Sequence, residues 1–357
     1  MKTSCLHILN FWKILFLGNV YILKTWLVYV IIYLIYERWY QKMTEAIAKA
    51  TQIIGLDIGR GYVKAYSEHN GNVRECLFKS IVSEGRDGLD YSNYDEPIYI
   101  EYDGEKIFAG KLAEIEGYMK NSNSKDSKVS ETVEQLMAVA ISKLAVEKEI
   151  KVMLGVPYKI FNKETATEVT KKYKGKVFKV EDKINGGLKE VRVINISIFR
   201  EADSALFHVL NGLPNMEKQV GLVSVGFRST ELAAYDRGFR FNDRYSTTLE
   251  VGNRNVLEFI SDRLMKEKGV NRSVEEIDSS DMYDNLKKLG YKSISEQIGQ
   301  EIEVLWKNLN EMDIYIAGGT ALNMTFDSRF KILEDSQMAT AKGLYEIAKF
   351  REQEGKF

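Results

Sequence analysis

The chain has 357 residues, of which 45% are hydrophobic, 28% charged and 11% aromatic, as is typical of a globular protein with a large core. This length predicts about two lobes, and a net charge of −1 provides no basic surface for a nucleic-acid backbone. The two cysteines and three histidines lie far apart in the sequence, which argues against a disulfide framework, a zinc cluster and a Cys–His pair. We therefore expect a cytoplasmic α/β protein whose chemistry comes from carboxylates, glycines and backbone amides.

The first 42 residues differ from the rest, with ten aromatic, five basic and one acidic residue. Their longest charge-free run, residues 25–36, is shorter than the roughly 20 residues that a membrane span needs. Three interpretations stay open: an extension from a mis-assigned start codon, a membrane segment in which Lys24 is neutralised or reaches the interface, and a signal peptide. We favour the first, because Met43 begins a run that looks like a normal soluble amino terminus, and we expect no membrane contact unless residues 1–42 are real.

A glycine-bearing hairpin opens the remaining chain. Residues 53–57 are an apolar strand, Gly59-Arg60-Gly61 is a turn, and residues 62–67 alternate as a second strand. We call this unit the first hairpin. The elements that follow are a hairpin over 97–109, a polar surface loop over 118–128, an amphipathic helix over 130–144 with Ser130 as its N-cap, strands over 150–157 and 191–199, and a helix over 201–211.

The second half of the chain begins with another such unit, the second hairpin, which has a strand over 221–225, a turn at Gly226 and a return strand over 230–236. It is followed by helices over 253–268 and 293–310, a strand over 313–317 that runs into Gly318-Gly319-Thr320, and a helix over 337–350. Strands that alternate with helices in two runs indicate two α/β lobes.

The two hairpins repeat one pattern, since residues 54–59 (IGLDIG) align with residues 221–226 (GLVSVG). The side chain two residues before each glycine points to the same face as the glycine. A polar group and a bare backbone therefore meet at each tip: Asp57 with Gly59, and Ser224 with Gly226. Two such tips facing each other would clamp a phosphate chain, because glycine permits close approach and turn amides form an anion-binding nest.

These residues resemble the actin-like ATPase superfamily, and within it the bacterial ParM-type and Alp-type plasmid-segregation actins. The motifs that carry the resemblance, in the family's order, are GLDIGRGYVK at 55–64, VMLGVPY at 152–158, EADSAL at 201–206, VSVGFRST at 223–230, IAGGTA at 316–321 and ATAKGLY at 339–345. The resemblance implies an α/β, two-lobed actin-like (ribonuclease H-like) fold with a nucleotide cleft between the lobes. It places lobe I at 43–212, lobe II at 213–335, and a C-terminal helix that returns to lobe I at 336–357.

The resemblance also implies roles for particular residues. Asp57 would hold Mg²⁺ through water, and Glu201 would position the hydrolytic water. The nucleotide-binding residues would be Gly59, Arg60, Gly61 and Lys64 in the first hairpin, Ser224 and Gly226 in the second, and Gly318, Gly319 and Thr320 at the adenosine. We add Arg228 only because it lies two residues past Gly226 in the sequence. Plainer alternatives stay open: a turn-capping Asp57, a Glu201 that merely suits the helix dipole, a solvated Lys64, and an ordinary turn at Gly318-Gly319.

One departure from the family pattern is Ser224, where the second hairpin normally carries an aspartate. A serine hydroxyl can orient a water but supplies no charge to the metal shell, so hydrolysis would be slowed or rearranged. Arg228 would bring positive charge near the phosphates instead. For the base pocket the sequence points only to the helix of Asn255, Phe259 and Arg263.

The resemblance implies an ATPase that polymerises into filaments with Mg²⁺ and ATP, with GTP as the alternative nucleotide. Filament growth would segregate plasmid DNA through a DNA-binding adaptor protein, so that contact with DNA is indirect. Two other hypotheses stay open: a small-molecule kinase of the same superfamily, and a membrane-associated scaffold of the pilus-assembly type, which Ser224 and a real segment at 1–42 would favour.

Overall fold

The computed structural model describes residues 32–39, 51–123, 127–210, 217–333 and 335–357, and the chain divides into two units, Met1–Thr51 and Gln52–Phe357. In the first unit, residues 32–39 form a short helix with exposed side chains. The rest of the 1–42 segment lies outside the described residues, so its three interpretations stay predictions. Within the described ranges, no helix is both long enough and apolar enough to cross a membrane.

A ten-stranded sheet, in the order β3-β2-β1-β8-β10-β9-β5-β6-β4-β7, forms the part of the second unit that we call lobe I. At its centre β1, β8 and β10 run parallel, while β2 returns antiparallel to β1 as the second strand of the first hairpin. The strands are β1 (Gln52–Ile58), β2 (Tyr62–His69), β3 (Asn72–Lys79), β4 (Ile81–Glu84), β5 (Ile98–Tyr102), β6 (Glu105–Ala109), β7 (Lys120–Ser122), β8 (Glu149–Val156), β9 (Val177–Asp182) and β10 (Leu188–Arg200).

Three helices accompany this sheet: α1 (Gly110–Glu116), α2 (Glu131–Leu144) and α3 (Lys163–Tyr173). The helix α2 begins where predicted, because the Ser130 hydroxyl accepts a hydrogen bond from the Val133 N–H. Its apolar residues Leu136, Met137 and Ile141 are buried against the strands of the sheet and form the main core of lobe I.

A second, six-stranded sheet forms lobe II. It has the order β13-β12-β11-β15-β16, with β14 paired to β12. Its strands are β11 (Gln219–Val225), β12 (Thr230–Asp236), β13 (Arg240–Phe241), β14 (Thr247–Leu249), β15 (Met312–Ala317) and β16 (Lys331–Ile332), and its helices are α5 (Asn253–Lys268), α6 (Val274–Asp278) and α7 (Asp284–Leu305). Both sheets contain an antiparallel hairpin followed by two parallel strands, β8 and β10 in one and β15 and β16 in the other. The predicted repeat is therefore confirmed, and it extends beyond the hairpins.

Two helices, α4 (Glu201–Val209) and α8 (Ala339–Gln353), pack against each other between the sheets. They touch at Gly343, where an added Cβ would lie 1.8 Å from the Ser204 carbonyl oxygen. The helix α8 also lies on β1, where a Cβ at Gly55 would come within 2.2 Å of the Ala341 carbonyl oxygen. The predicted lobe boundary at residues 212 and 213 falls outside the described residues and stays a prediction.

Two predicted elements differ in the structure. The helix predicted over 293–310 begins at Asp284 and ends at Leu305. This helix contains Gly290, although glycine is a weak helix former. Glycine is needed at this position because an added Cβ would lie 2.5 Å from the Val256 side chain of α5. The loop predicted over 118–128 is not simply a solvated surface. Part of it is β7, and its Asn123 and Lys128 are buried.

Candidate functional site

A cavity of about 380 Å³ lies between the two lobes. All twelve predicted site residues line it: Asp57, Gly59, Arg60, Gly61, Lys64, Glu201, Ser224, Gly226, Arg228, Gly318, Gly319 and Thr320. The fold thus brings together segments that are separated by more than half of the chain.

At the tip of the first hairpin, Asp57 and Lys64 are register partners on β1 and β2. The Lys64 ammonium donates a hydrogen bond of 2.7 Å to Asp57 Oδ2. Burial alone would lower the pKa of Lys64, but the Asp57 carboxylate outweighs it and the pKa is raised. Lys64 is therefore a charged residue of the cavity wall, and the alternative of a solvated strand residue is wrong.

The other oxygen of Asp57, Oδ1, is buried and has no hydrogen-bond partner within the described part of the chain. A buried carboxylate oxygen without a donor is costly. An ordered water on a divalent cation would satisfy it, so this carboxylate fits the role expected of Asp57. The described residues contain no group of three or more His, Cys, Asp or Glu side chains that would hold a metal by themselves.

At the tip of the second hairpin, the register partner of Ser224 is Glu231. Glu231 is 8% exposed and lines the cavity. Burial, followed by the nearby charge of Glu201, raises the pKa of Glu231 to about 8. The sequence analysis missed this carboxylate, although the repeat could have indicated it, since Glu231 follows Ser224 by the spacing that separates Lys64 from Asp57.

The two tips touch. A Cβ at Gly61 would lie 2.6 Å from the Phe227 Cβ, so glycine is required there for the tips to approach. Next to this contact, the Lys79 ammonium of lobe I bridges the lobes through ion pairs of 2.7 Å with Glu114 and 3.1 Å with Asp278 of lobe II.

Glu201, the first residue of α4, lies at the base of the cavity. Burial raises the pKa of its carboxyl, and the Lys128 ammonium, 3.2 Å from Glu201 Oε1, opposes that shift. Lys128 also donates to the Ile58 carbonyl oxygen at 2.9 Å, and Asn123 donates to the Ile58 and Gly59 carbonyl oxygens. The loop predicted to be solvated therefore stabilises the first hairpin by donating hydrogen bonds to its backbone carbonyl oxygens.

The predicted adenosine motif packs against the second hairpin. Gly318 has φ 95°, and a Cβ there would come within 2.2 Å of the Val225 carbonyl oxygen, so only glycine fits. A short 3₁₀ helix, Gly319–Asn323, follows, and its Thr320 hydroxyl donates to the Gly226 carbonyl oxygen at 3.0 Å. The motif and the second hairpin thus form one wall of the cavity.

The residues predicted for the base pocket lie on α5, outside the lining of this cavity. Asn255, Phe259 and Arg263 do not line the cavity. The Asn255 side chain accepts from the Gly252 N–H at the start of α5, and Arg263 pairs with Glu267 on the outer face of the helix. At the first residue of α5, Asn253 lines the cavity together with Tyr291 of α7, whose hydroxyl donates to Asn253 Oδ1 at 2.8 Å.

Comparison with known proteins agrees with this architecture. The family described as "Actin like proteins N terminal domain" matches residues 55–202. No curated protein matches the sequence.

Among solved structures, a 15-stranded ParM filament from Clostridium botulinum is similar with a TM-score of 0.71 and 21% identity over 84% of this chain and 99% of the other. An archaeal actin homolog, Ta0583, in complex with ADP is similar with a TM-score of 0.70 and 17% identity over 84% and 100%. The apo psk41 ParM protein follows with 0.64 and 15% over 86% and 100%. The two-lobed actin-like fold and the resemblance to ParM-like members of the actin-like superfamily are thereby confirmed.

Proposed function

We propose that this chain, which has an actin-like fold, is a ParM-like ATPase that binds Mg²⁺ and ATP between its lobes. The observation that supports this most directly is the cavity itself. Two glycine hairpins, the adenosine motif and Glu201 line one space between the lobes. Glycines that bring backbone amides close to a ligand suit a phosphate chain.

The residues present fit a hydrolytic site. Asp57 would hold Mg²⁺ through water with its unpartnered oxygen, Lys64 would neutralise phosphate charge, and Mg²⁺ itself would supply charge neutralisation at the phosphates. Glu201 would accept a hydrogen bond from the attacking water and orient it. Ser224 supplies no charge, and the carboxyl that lobe II contributes to the cavity is Glu231, which its pKa of about 8 keeps largely protonated at neutral pH.

We propose further that the protein polymerises into filaments in the cytoplasm and segregates plasmid DNA through an adaptor protein. The similarity to a ParM filament supports self-association. Head-to-tail contacts between identical subunits give open helical polymers when the rotation between them does not close. The net charge of −1 agrees with indirect contact to DNA, since it gives no basic footprint.

The test follows light scattering and phosphate release together after Mg²⁺ and ATP are added, and again with GTP. The full chain and a chain beginning at Met43 are compared, with Glu201→Gln as the matched control. Scattering that rises and later falls as phosphate appears would support a dynamic filament. Glu201→Gln should polymerise with its phosphate release reduced by about 100-fold or more. Absence of nucleotide binding and of any polymer would refute the proposal.

A further inference from the structure

A lysine outside the recognised motifs lies in the wall of the cavity. Lys128 precedes α2 and is 6% exposed. Its backbone is fixed, because the buried Tyr173 hydroxyl donates to the Lys128 carbonyl oxygen at 2.9 Å. Its ammonium reaches Ile58 O at 2.9 Å and Glu201 Oε1 at 3.2 Å. Lys128 therefore joins the first hairpin to the start of α4.

The ion pair between Lys128 and Glu201 affects the cost of burying the Glu201 carboxylate. An isolated carboxylate is costly to bury, and a buried ion pair compensates that cost only when its geometry is good. In the cavity, Lys64 pairs with Asp57 and Lys128 pairs with Glu201, while the nearby carboxyl of Glu231, with a pKa of about 8, is largely protonated at neutral pH. Of the two lysines, Lys128 is the one hydrogen-bonded to the carboxylate expected to orient water.

We infer that Lys128 is a positioning residue for ATP hydrolysis. Its ammonium holds the Glu201 carboxylate in place and keeps it ionised. This inference rests on the proposed ATPase activity. In that reaction, the water oxygen bonds to the γ-phosphorus as the bond to the β–γ bridging oxygen breaks. ADP and phosphate form, one water proton stays on the phosphate, and the other passes to solvent. The ionised Glu201 carboxylate accepts a stronger hydrogen bond from that water than the protonated acid does, and the protonated acid also presents an O–H donor.

The pH dependence of hydrolysis should change when the Lys128 charge is removed. Burial and the Asp57 charge raise the pKa of Glu201, and the Lys128 and Lys64 charges lower it. The carboxyl of Glu231 faces the same space from β12. An opposite charge within hydrogen-bond distance shifts a carboxyl pKa by roughly one to three pH units. Removing the Lys128 charge should therefore move the midpoint of the hydrolysis–pH profile upward by a similar amount.

The test uses the full chain with Lys128→Gln and Lys128→Arg. The matched control is Lys171→Gln, because Lys171 is an exposed lysine of α3 that does not line the cavity. Affinity is measured with a fluorescent ATP analogue, and phosphate release is measured in single turnovers across roughly pH 6 to 9. Lys128→Gln should release phosphate about tenfold or more slowly at neutral pH, bind nucleotide nearly as tightly, and recover as the pH rises. Lys128→Arg should restore most of the rate, and Lys171→Gln should behave as wild type.

A second measurement separates positioning from a merely structural role. If Lys128 acts through Glu201, Lys128→Gln should have no further effect on hydrolysis when Glu201→Gln is already present. An equal loss in both backgrounds, or a wild-type rate and pH midpoint for Lys128→Gln, would overturn the inference while the ATPase stands. A wild-type chain that binds no nucleotide would overturn the proposed function and, with it, the inference.

The folding of the variants is followed by urea denaturation. If Lys128→Gln alone does not fold, the double variant Lys128→Gln/Glu201→Gln should fold, because it leaves neither member of the pair as an uncompensated buried charge. A double variant that also fails to fold would overturn the pairing on which the inference depends.

Discussion

The contact between α4 and α8 leads to a stability prediction for Gly343→Ala. The added Cβ would lie 1.8 Å from the Ser204 carbonyl oxygen and 2.4 Å from the Ser204 carbonyl carbon. Ordinary carbon–oxygen contacts are about 3.3 Å or longer. The obstacle is backbone rather than a flexible side chain, so the two helices must separate locally by about 1.5 Å.

Two opposing effects determine how much Gly343→Ala changes the free energy of unfolding. Overpacking a well-packed contact costs about 1–3 kcal/mol, and the rigid backbone places this site at the upper end. Alanine in a helix gains about 0.5–1 kcal/mol over glycine. We therefore expect a net loss of about 2 kcal/mol in the free energy of unfolding.

Urea denaturation of the nucleotide-free protein measures this loss. Gly299→Ala is the matched control, because Gly299 lies in α7 and a Cβ there would meet nothing within 4 Å. It should raise stability by about 0.5–1 kcal/mol. Equal stability changes in the two variants would refute the reasoning, since the substitution is the same and only the neighbour differs.

Three further predictions concern the cavity. The pKa of Glu231 is raised from 4.5 to about 8 in the folded state. The folded protein thus holds a proton that the unfolded chain has lost, and stability should fall by about 1.4 kcal/mol per pH unit across that range in wild type but much less in Glu231→Gln. Gly61→Ala should weaken nucleotide binding about tenfold by pushing the tips apart, and Phe227→Gly in the same chain should restore binding, because one Cβ then replaces another. Lys79→Met should release nucleotide about fivefold faster, because the ion pair with Asp278 that bridges the lobes is lost.

These three predictions have distinct readouts and controls. The first compares urea midpoints near pH 5 and pH 8, and equal pH dependence in wild type and Glu231→Gln would contradict it. The second and third use binding and release of a fluorescent nucleotide. Lys106→Met, which removes an exposed lysine paired with Asp87 within lobe I, is the control for Lys79. A similar release rate for both lysine variants would show that the bridge does not restrain the lobes.

The sequence was sufficient to predict the parts of the site that are local in the chain. Each hairpin lies within about 20 residues, and its glycines and alternating apolar residues mark the turn and the strands directly. The order of these motifs led to the two-lobed fold. All twelve predicted residues stand inside such a motif, and the fold brings them to one cavity.

The residues that the sequence analysis missed act across long separations. Lys128 lies 70 residues from Ile58 and 73 from Glu201, and no local pattern marks a lysine that folds back onto a hairpin. The residues predicted for the base pocket do not line the cavity, because the helix was recognised without its orientation. Only the packing of α5 against α7 shows that Asn253 faces the cavity and Phe259 does not.

The register of the two hairpins also changes how Ser224 is interpreted. In lobe I, an aspartate and a lysine face each other at the tip. In lobe II, a serine and a glutamate occupy the same two positions, so the carboxylate has moved to the opposite strand. Restoring the aspartate alone should therefore harm the protein, because Ser224→Asp would place two carboxylates directly opposite each other in a buried strand pair.

We expect Ser224→Asp to lower the free energy of unfolding by about 1 kcal/mol or more, and Ser224→Asp/Glu231→Lys to recover it by reproducing the pairing of lobe I. Urea denaturation of the two variants and of wild type measures these differences in the free energy of unfolding. If Ser224→Asp were as stable as wild type, the two side chains would not share the cavity face. The loss of the aspartate at 224 would then be a true deficit in this site, and Glu231 would not compensate for it.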